Sequence, residues 1–219
     1  MNNNKDTNYK CILCNQYSVS NYYEDKNRSY LYCSECKLVF VPKEYRLSSY
    51  EELFRYNLHQ NNPNDANYRN FLSRLFLPLN ALISSGSQGL DFGSGPGPTL
   101  SIMLNEAGHN CINFDYYYAN NPDVFNHKYD FITASEVVEH LFNPRDELFR
   151  LWNCLKPGGV LGIMTKQVRD KKSFEKWHYK NDLTHVSFFS RESFSWLKEQ
   201  WNSSLDFINK DVVIFQKKV

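Results

Sequence analysis

Two Cys-x-x-Cys motifs near the N-terminus constrain this chain more than any other feature of its sequence. Cys11 and Cys14 form the first pair and Cys33 and Cys36 the second, with 18 residues between the pairs. Two short turns at this spacing present four sulfur atoms tetrahedrally to zinc. A redox-active motif needs only one pair, set between a strand and a helix, and the sequence lacks that setting. The motifs therefore predict a closed structural zinc site, whose metal has no open position for chemistry.

Residues 1–45 are predicted to form a zinc ribbon around this site. A polar stretch at residues 24–27 separates two tyrosine-rich segments, which predicts two short strands joined by a turn. The apolar run at residues 38–41 predicts one more strand. A module of this size is too small to fold without its metal.

The composition restricts the partners of the chain. Of its 219 residues, 42% are hydrophobic and 16% aromatic, which is enough for one sizeable core. Lysine and arginine number 25 against 24 aspartate and glutamate, so the formal net charge of +1 favours neither DNA nor anionic lipid. The N-terminus lacks a signal-peptide core, and no run approaches the roughly 18 apolar residues of a membrane span. We therefore expect a soluble, cytoplasmic protein with no membrane or DNA partner.

Residues 46–84 are predicted to form a helical lid segment. Ser49 and Glu52 have the spacing of a capping box, which predicts the start of a short helix. Further along, apolar residues recur at helical spacing, and Pro78 is expected to kink or end this second helix. His59, between the two helices, is a weaker candidate for covering a cofactor.

Residues 85–219 carry the pattern of a nucleotide-binding α/β domain. Residues 89–92 predict a strand, residues 93–98 a glycine-rich turn and residues 99–107 a helix. Glycines in such a turn let the backbone approach a ligand, and the first turn of the helix offers free N–H groups. Strand, glycine turn and helix in this order begin a βαβ unit.

The next predicted strand, residues 111–114, ends at Asp115. At about 20 residues beyond the glycine turn, a carboxylate in this position is placed to accept both hydroxyls of a ribose. Further strands are predicted at residues 129–133 and 160–165, with a helix between them, and two antiparallel edge strands are predicted near the C-terminus. Because strands and helices alternate, we predict an α/β fold with a mostly parallel sheet flanked by helices.

The runs LDFGSGPG, YDFITASEVVEHL and LKPGGVLGIMT, together with the strand end at Asp115, resemble class I S-adenosylmethionine-dependent methyltransferases. The resemblance covers roughly residues 85–219 and implies a Rossmann-like sheet, which is seven-stranded in that family. It also implies methyl transfer as the activity and S-adenosylmethionine as the methyl donor. The N-terminal ribbon resembles the zinc modules attached to several bacterial methyltransferases, including a group that modifies ribosomal RNA.

Carried over by position, the resemblance implies a cofactor site in which the glycine turn holds the methionine portion and the acid of the next strand holds the ribose. Its residues are Asp91, Gly93, Ser94, Gly95, Gly97, Asp115, Tyr116, Ser135 and Glu136. In the family, a helix, a strand and another helix normally follow the ribose-binding acid and supply the adenine contacts. Here only 13 residues separate Asp115 from Tyr129, so we expect Tyr116 and its neighbours to offer a stacking face.

Three side chains are candidates for acting on the methyl acceptor. Asp182 and His185 lie in one loop, where a neutral imidazole can take a proton and a carboxylate can orient it or bind the acceptor. The same residues fit a structural turn equally well, with Asp182 capping the turn and His185 bonded to the backbone. His140, at the end of the run EVVEH, is the third catalytic candidate, and a surface position is its alternative.

The acceptor is predicted to be a small molecule rather than RNA, because basic and aromatic residues are interleaved only in residues 166–180. That basic stretch fits either contact with an anionic acceptor or a solvated loop. Two other functions compete. The first is a zinc-ribbon binding protein with a weak or non-catalytic Rossmann-like domain. The second is a dinucleotide-dependent oxidoreductase, but the usual third glycine of that class would fall at Pro98.

Overall fold

The computed structural model describes residues 9–58 and 61–219 of the chain, which contain two β-sheets. In the N-terminal sheet, β1 (Val19–Glu24) and β2 (Ser29–Cys33) pair antiparallel across a turn. The second of these strands also pairs antiparallel with β3 (Val39–Phe40). The three predicted strands of the ribbon are therefore confirmed.

Two helices, α1 (Ser49–Tyr56) and α2 (Ala66–Asn80), follow the ribbon. The capping box lies one residue earlier than predicted, with Ser48 as the N-cap. The Ser48 amide donates a hydrogen bond to the carboxylate of Glu51. Two adjacent serines are each followed three residues later by a glutamate, so spacing alone did not distinguish them. Glu52 is not part of the cap and is buried.

The remaining elements build an α/β sheet with flanking helices. The strands of this part are β4 (Gln88–Phe92), β5 (Asn110–Phe114), β6 (Tyr129–Ser135), β7 (Leu155–Met164), β8 (Ser187–Phe188), β9 (Ser204–Phe207) and β10 (Val212–Gln216). The helices are α3 (Thr99–Glu106), α4 (Pro144–Cys154), α5 (Lys171–Glu175) and α6 (Arg191–Trp201). The strand order is β5–β4–β6–β7–β10–β9, in which the first four strands are parallel and β10 runs antiparallel to both of its neighbours, β7 and β9. The predicted mostly parallel sheet and its antiparallel edge are confirmed.

The seven-stranded sheet implied by the family resemblance is wrong for the described part of this chain, where the sheet has six strands. The missing strand belongs between β5 and β6 in the sequence. After β5 the chain turns back at once, because Asp115 and Ala119 pair as an isolated antiparallel bridge. A 3₁₀ turn at Pro122–Asn126 then leads directly into β6. The 13 residues available are too few for a helix, a strand and a second helix.

The large sheet has a core on each of its two faces. Successive residues of a strand point to opposite faces, so Phe131 packs with α2 and α3, whereas Ile132 packs with α4 and α6. α2 approaches the sheet so closely that a Cβ added at Gly162 would lie 2.8 Å from the side chain of Leu75. This helix ends shortly after Pro78, as predicted. Within residues 9–58 and 61–219, no helix is both long and apolar enough to cross a membrane.

A strand from the α/β part continues the ribbon sheet. β3 pairs antiparallel with β8, so the order of that sheet is β1–β2–β3–β8. Beside this pair, the Val41 amide donates to the Val186 carbonyl at 2.9 Å, and the Val186 amide donates to the Glu139 carbonyl at 2.8 Å. Backbone hydrogen bonds therefore connect the ribbon to two segments of the α/β part. The boundaries predicted after residues 45 and 84 stay predictions.

A buried guanidinium reinforces this junction. Arg28 is 2% exposed, although it carries a charge. It donates hydrogen bonds to the carbonyl groups of Lys180, Asp182 and Leu183 at 2.7, 2.9 and 3.0 Å. Lys180 is buried as well, and its ammonium group lies 3.3 Å from the carboxylate of Asp25 in the ribbon. The loop that carries the predicted acceptor residues is therefore held by a side chain of the zinc ribbon.

Replacing Arg28 by methionine should lower the free energy of unfolding of the zinc-loaded protein by about 2–4 kcal/mol. Hydrogen bonds from a charged donor contribute about 1.5–3 kcal/mol each, and the substitution would leave their buried carbonyl partners unpaired. The measurement is urea denaturation. The exposed Arg169→Met variant is the control and should change the free energy by less than about 0.5 kcal/mol. Equal midpoints for the two variants would contradict a clamping role.

Candidate active site and metal site

One cavity of about 820 Å³ lies at the carboxyl ends of β4, β5 and β6, with residues of α1 forming part of its wall. All predicted cofactor and catalytic residues line it: Asp91, Gly93, Ser94, Gly95, Gly97, Asp115, Tyr116, Ser135, Glu136, His140, Asp182 and His185. The structure thus brings the two predicted groups together, while their individual roles stay predictions. His59 lies outside the described residues.

Backbone conformation and close packing explain the glycines of the turn. Gly93 and Gly95 have φ angles of 73° and 63°, in the left-handed region that other residues rarely adopt. Gly97 has an ordinary φ, but a Cβ added there would lie 1.9 Å from the carbonyl oxygen of Asn61. The lid segment therefore rests directly on the glycine turn.

Asp115 is hydrogen-bonded to the glycine turn, whereas Asp91 is bonded to the neighbouring strand β6. Asp115 accepts a hydrogen bond from the Gly95 amide at 2.9 Å through one oxygen, and bonds from the amides of Tyr117 and Tyr118 through the other. Asp91 lies beneath the turn, buried, where it accepts a bond from the Thr133 hydroxyl at 2.7 Å. Burial raises the pKa of Asp91 to about 7. A carboxylate has about four acceptor sites and three are used here, so Asp115 retains about one for a ribose hydroxyl.

Buried oxygen atoms around the cavity fit a polar ligand. The hydroxyl oxygens of Ser94 and Ser135 are buried and have no hydrogen-bond partner among the described residues. Leaving such groups without a partner is costly, and both residues line the cavity. A ligand with hydroxyl, amino and carboxylate groups, such as S-adenosylmethionine, has the chemistry to satisfy them.

Three consecutive tyrosines form the predicted adenine face. Tyr116 is 48% exposed, and its ring packs edge-on against Phe114. The hydroxyl of Tyr117 donates to Glu52 at 3.2 Å and that of Tyr118 donates to Asn57 at 2.8 Å. Both partners belong to α1 or its C-terminal end, so the lid helix is attached to the segment that replaces the missing strand.

The acceptor candidates lie at the ribbon side of the cavity. The rings of His140 and His185 meet edge to face with centroids 4.7 Å apart, and Nε2 of His185 lies 3.8 Å from a carboxylate oxygen of Asp182. The other oxygen of Asp182 accepts bonds from the amide and hydroxyl of Thr184. Nδ1 of His185 lies 2.7 Å from the carbonyl oxygen of Tyr179. The loop is therefore a capped turn that also lines the cavity, and its catalytic role stays a prediction.

The titration of these groups follows from their surroundings. Burial lowers the pKa of His185, so its imidazole is neutral near pH 7. Burial by itself would raise the pKa of Asp182, but the hydrogen bonds from Thr184 bring it below its ordinary value, so this carboxylate is ionised.

The sequence analysis missed Glu139, which is fully buried and lines the cavity beside His140. Its signal is the run EVVEH, in which two glutamates are three residues apart. Burial and the neighbouring Glu136 raise the pKa of Glu139, and burial also raises that of Glu136. Glu136 has a φ of 53°, an unusual conformation for a residue with a side chain. The unusual φ angle and the raised pKa values together make this turn a candidate functional segment.

The cavity is acidic. Among the described residues that line it there is no lysine or arginine. Its carboxyl groups belong to Glu52, Asp91, Asp115, Glu136, Glu139, Glu147 and Asp182. The basic stretch at residues 166–180 does not reach this lining, and its Lys180 is buried at the ribbon instead. No lysine or arginine of this stretch therefore lines the cavity, although the charge of Lys166 opposes the rise in the pKa of Glu136.

The four cysteines of the ribbon form a second, separate site. All four side chains are buried, and their sulfur atoms lie within 4.8 Å of one another. Cys11 and Cys36 have sulfur atoms 3.5 Å apart, and those of Cys14 and Cys33 are 3.4 Å apart. Tetrahedral zinc with bonds of about 2.3 Å places its sulfur ligands about 3.8 Å apart. The cluster thus has the composition and spacing of a structural zinc site.

Fold and cavity together define an α/β enzyme that binds a nucleotide-like cosubstrate at the strand ends. The family profile described as a methyltransferase domain matches residues 64–203. Because this match covers more than half of the chain, the chain belongs to this methyltransferase family. The predicted class I S-adenosylmethionine-dependent methyltransferase is confirmed, which decides against the oxidoreductase. No curated protein matches the chain.

Solved methyltransferase structures share this fold. The 1,6-didemethyltoxoflavin-N1-methyltransferase of Burkholderia thailandensis, solved with 1,6-didemethyltoxoflavin and S-adenosylhomocysteine, is 14% identical at a TM-score of 0.50, over 91% of this chain and 99% of that one. A methyltransferase of calicheamicin biosynthesis with bound S-adenosylhomocysteine is 13% identical at a TM-score of 0.50, over 82% and 64%. A methyltransferase of Methanosarcina mazei is 14% identical at a TM-score of 0.47, over 64% and 96%. At these identities the likeness concerns the fold.

The Gly97→Ala substitution should weaken the binding of S-adenosylhomocysteine about 10- to 100-fold, because its methyl group would displace the backbone at Asn61 and a misplacement of about 1 Å has effects of this size. Calorimetric titration measures this. The control is Gly86→Ala, where φ is 75° and no atom lies within 4 Å of the added Cβ. This control should lose about 1–2 kcal/mol of stability and keep the affinity unchanged. Equal affinities for both variants would contradict the contact.

Proposed function

We propose that this methyltransferase transfers a methyl group from S-adenosylmethionine to a small neutral or cationic molecule, which binds beside His140, Asp182 and His185. The observation that carries this proposal is the cavity itself. It joins the glycine turn to the acceptor candidates, and its lining holds carboxyl groups without lysine or arginine.

The strand ends supply the donor half of this site. In the proposed arrangement, the turn from Gly93 to Gly97 holds the methionine portion, Asp115 holds the ribose and Tyr116 faces the adenine. S-adenosylmethionine, when bound, supplies a methyl group that is already activated on a positively charged sulfur. The carboxyl groups around the turn favour that positive charge.

The remaining work of the chain is positioning. Since the methyl group is already activated, His140, Asp182 and His185 have to orient the acceptor, help exclude water and, where the acceptor atom carries a proton, provide for its removal. The junction with the ribbon supports this role, because Arg28 fixes the backbone on which Asp182 lies.

The charge of the cavity supports a small-molecule acceptor over RNA. The backbone of RNA carries one negative charge per nucleotide, and proteins bind it through lysine and arginine. The cavity offers carboxyl groups in their place, so a phosphate near its mouth would be repelled. A zinc-ribbon binding protein without catalysis is disfavoured, because the glycine turn, the ribose acid and the unpartnered serine oxygens are all present in one cavity.

Asp115→Asn should weaken the binding of S-adenosylhomocysteine about 10- to 100-fold, because a hydrogen bond to a charged group contributes about 1.5–3 kcal/mol. Asp123→Asn, an exposed substitution in the following 3₁₀ turn, should have no effect. Calorimetric titration of the zinc-loaded protein compares the two. Loss of affinity in both variants, or in neither, would remove Asp115 from the cofactor site.

The acceptor class is tested with methyl-labelled S-adenosylmethionine and the purified protein. One reaction contains total RNA and the other a metabolite extract of low molecular mass, and the product is separated by size. We expect label in the small-molecule fraction only. Label in RNA would overturn the proposed acceptor class while preserving the methyltransferase activity.

A further inference from the structure

Two histidines and a carboxylate at the acceptor end of the cavity converge on one point. Each of Glu139, His140 and His185 offers one atom, and these three atoms lie within 4.8 Å of one another. Two imidazoles and a carboxylate are a common ligand set for first-row divalent metals. The group lies in the cavity and includes none of the four cysteines, so it is separate from the thiolate site.

Each of the two imidazoles has a backbone carbonyl group beside its Nδ1 atom. Nδ1 of His185 lies 2.7 Å from the Tyr179 carbonyl oxygen, and Nδ1 of His140 lies 3.2 Å from the Thr184 carbonyl oxygen. A carbonyl oxygen only accepts, so each Nδ1 carries the proton and each Nε2 carries the lone pair. A backbone carbonyl that fixes one imidazole nitrogen is the usual support of a histidine that binds metal through the other.

The carboxylate provides an independent observation. The Tyr179 hydroxyl donates a hydrogen bond to Oε1 of Glu139. Its Oε2 is buried and has no hydrogen-bond partner within residues 9–58 and 61–219. The whole side chain is 0% exposed and belongs to the lining of the cavity. A buried carboxylate oxygen without a donor is costly, and a metal cation would satisfy it.

The surrounding charges favour the same ligand. Glu136 and Asp182 line the cavity beside this group, and Asp182 approaches Nε2 of His185 to 3.8 Å. The charges of Lys166 and Arg74 oppose the rise in the pKa of Glu136, and both cations also have other partners, which for Arg74 is Asp211. Lys166 lies 3.1 Å from the ring of His178, and Arg28 is bonded to backbone carbonyls of the loop. A divalent cation would offset the repulsion among the carboxyl groups.

We propose that Glu139, His140 and His185 bind a divalent first-row metal ion at the acceptor end of the cavity, through the carboxylate oxygen Oε2 and the two Nε2 atoms. Two nitrogens and one oxygen suit manganese, iron, cobalt or zinc better than magnesium or calcium. Three protein ligands leave positions open, in contrast to the four thiolates of the ribbon.

The chemical consequence rests on the proposed function. An open position on this metal takes an oxygen atom of the acceptor and lowers the pKa of its hydroxyl group, and the proton passes to solvent water. The carbon–oxygen bond then forms as the carbon–sulfur bond of the donor breaks, and a neutral thioether leaves. The metal site thus selects acceptors with a hydroxyl group, and the two histidines act as ligands rather than as bases.

Manganese binding tests the site directly. The zinc-loaded protein, dialysed until metal analysis gives one zinc ion per chain, is titrated with Mn²⁺ while the signal of free Mn²⁺ is followed by electron paramagnetic resonance. Thiolates prefer zinc to manganese, so the ribbon does not compete. The wild type should bind one Mn²⁺ per chain. Glu139→Gln and His185→Asn should each weaken binding about tenfold or more, whereas exposed His127→Asn should leave it unchanged.

The same samples are titrated with S-adenosylhomocysteine, which also reports whether each variant is folded. Since Glu139→Gln preserves the size of the side chain, retained binding of S-adenosylhomocysteine with weakened Mn²⁺ binding would support the site. If the wild type binds no Mn²⁺, or binds it as tightly as both variants do, the metal site is overturned and the proposed methyl transfer stands. If Mn²⁺ binds as expected but S-adenosylhomocysteine does not, the metal site stands and the proposed function falls.

Discussion

The pairing of β3 with β8 is the interaction on which the acceptor end of the cavity depends. Each strand has only two residues, so the pair needs support from both sides. The thiolate site fixes the turns of the ribbon on one side, and Arg28 holds the loop before β8 on the other. The Val186 backbone then connects this sheet to the turn that carries Glu139 and His140. The two segments with acceptor residues therefore share one support.

The two halves of the cavity are built by different means. The donor half follows from local rules, because glycines with positive φ angles and a carboxylate at a strand end shape it directly. The acceptor half is built by contacts between residues about 150 positions apart, such as those of Arg28 with the carbonyls of Lys180 and Leu183. Glu139 lies in this half, where burial and the neighbouring Glu136 raise its pKa because a buried charge is costly.

This difference decides what the sequence could predict. The cysteine spacing, the glycine turn and Asp115 are local patterns with a fixed chemical meaning, and the structure places all of them as expected. The capping box was off by one residue because neighbouring serines have the same spacing. Glu139 was missed because its burial depends on β8, and nothing in the surrounding sequence shows that pairing. The sheet has six strands because the segment after Asp115 is short, whereas the family resemblance implied seven strands.

Arg28 recognises the acceptor loop through main-chain carbonyl groups and through none of its side chains. Every residue type presents the same carbonyl oxygen, so a substitution at Leu183 preserves the acceptor of its hydrogen bond. The Asp182 side chain, in contrast, also caps the turn through Thr184, so this position contributes to the path of the loop. In evolutionary terms, acceptor preference can change by replacing side chains on a fixed backbone, and the same separation offers a protein engineer a loop whose positions can be varied without redesigning its support.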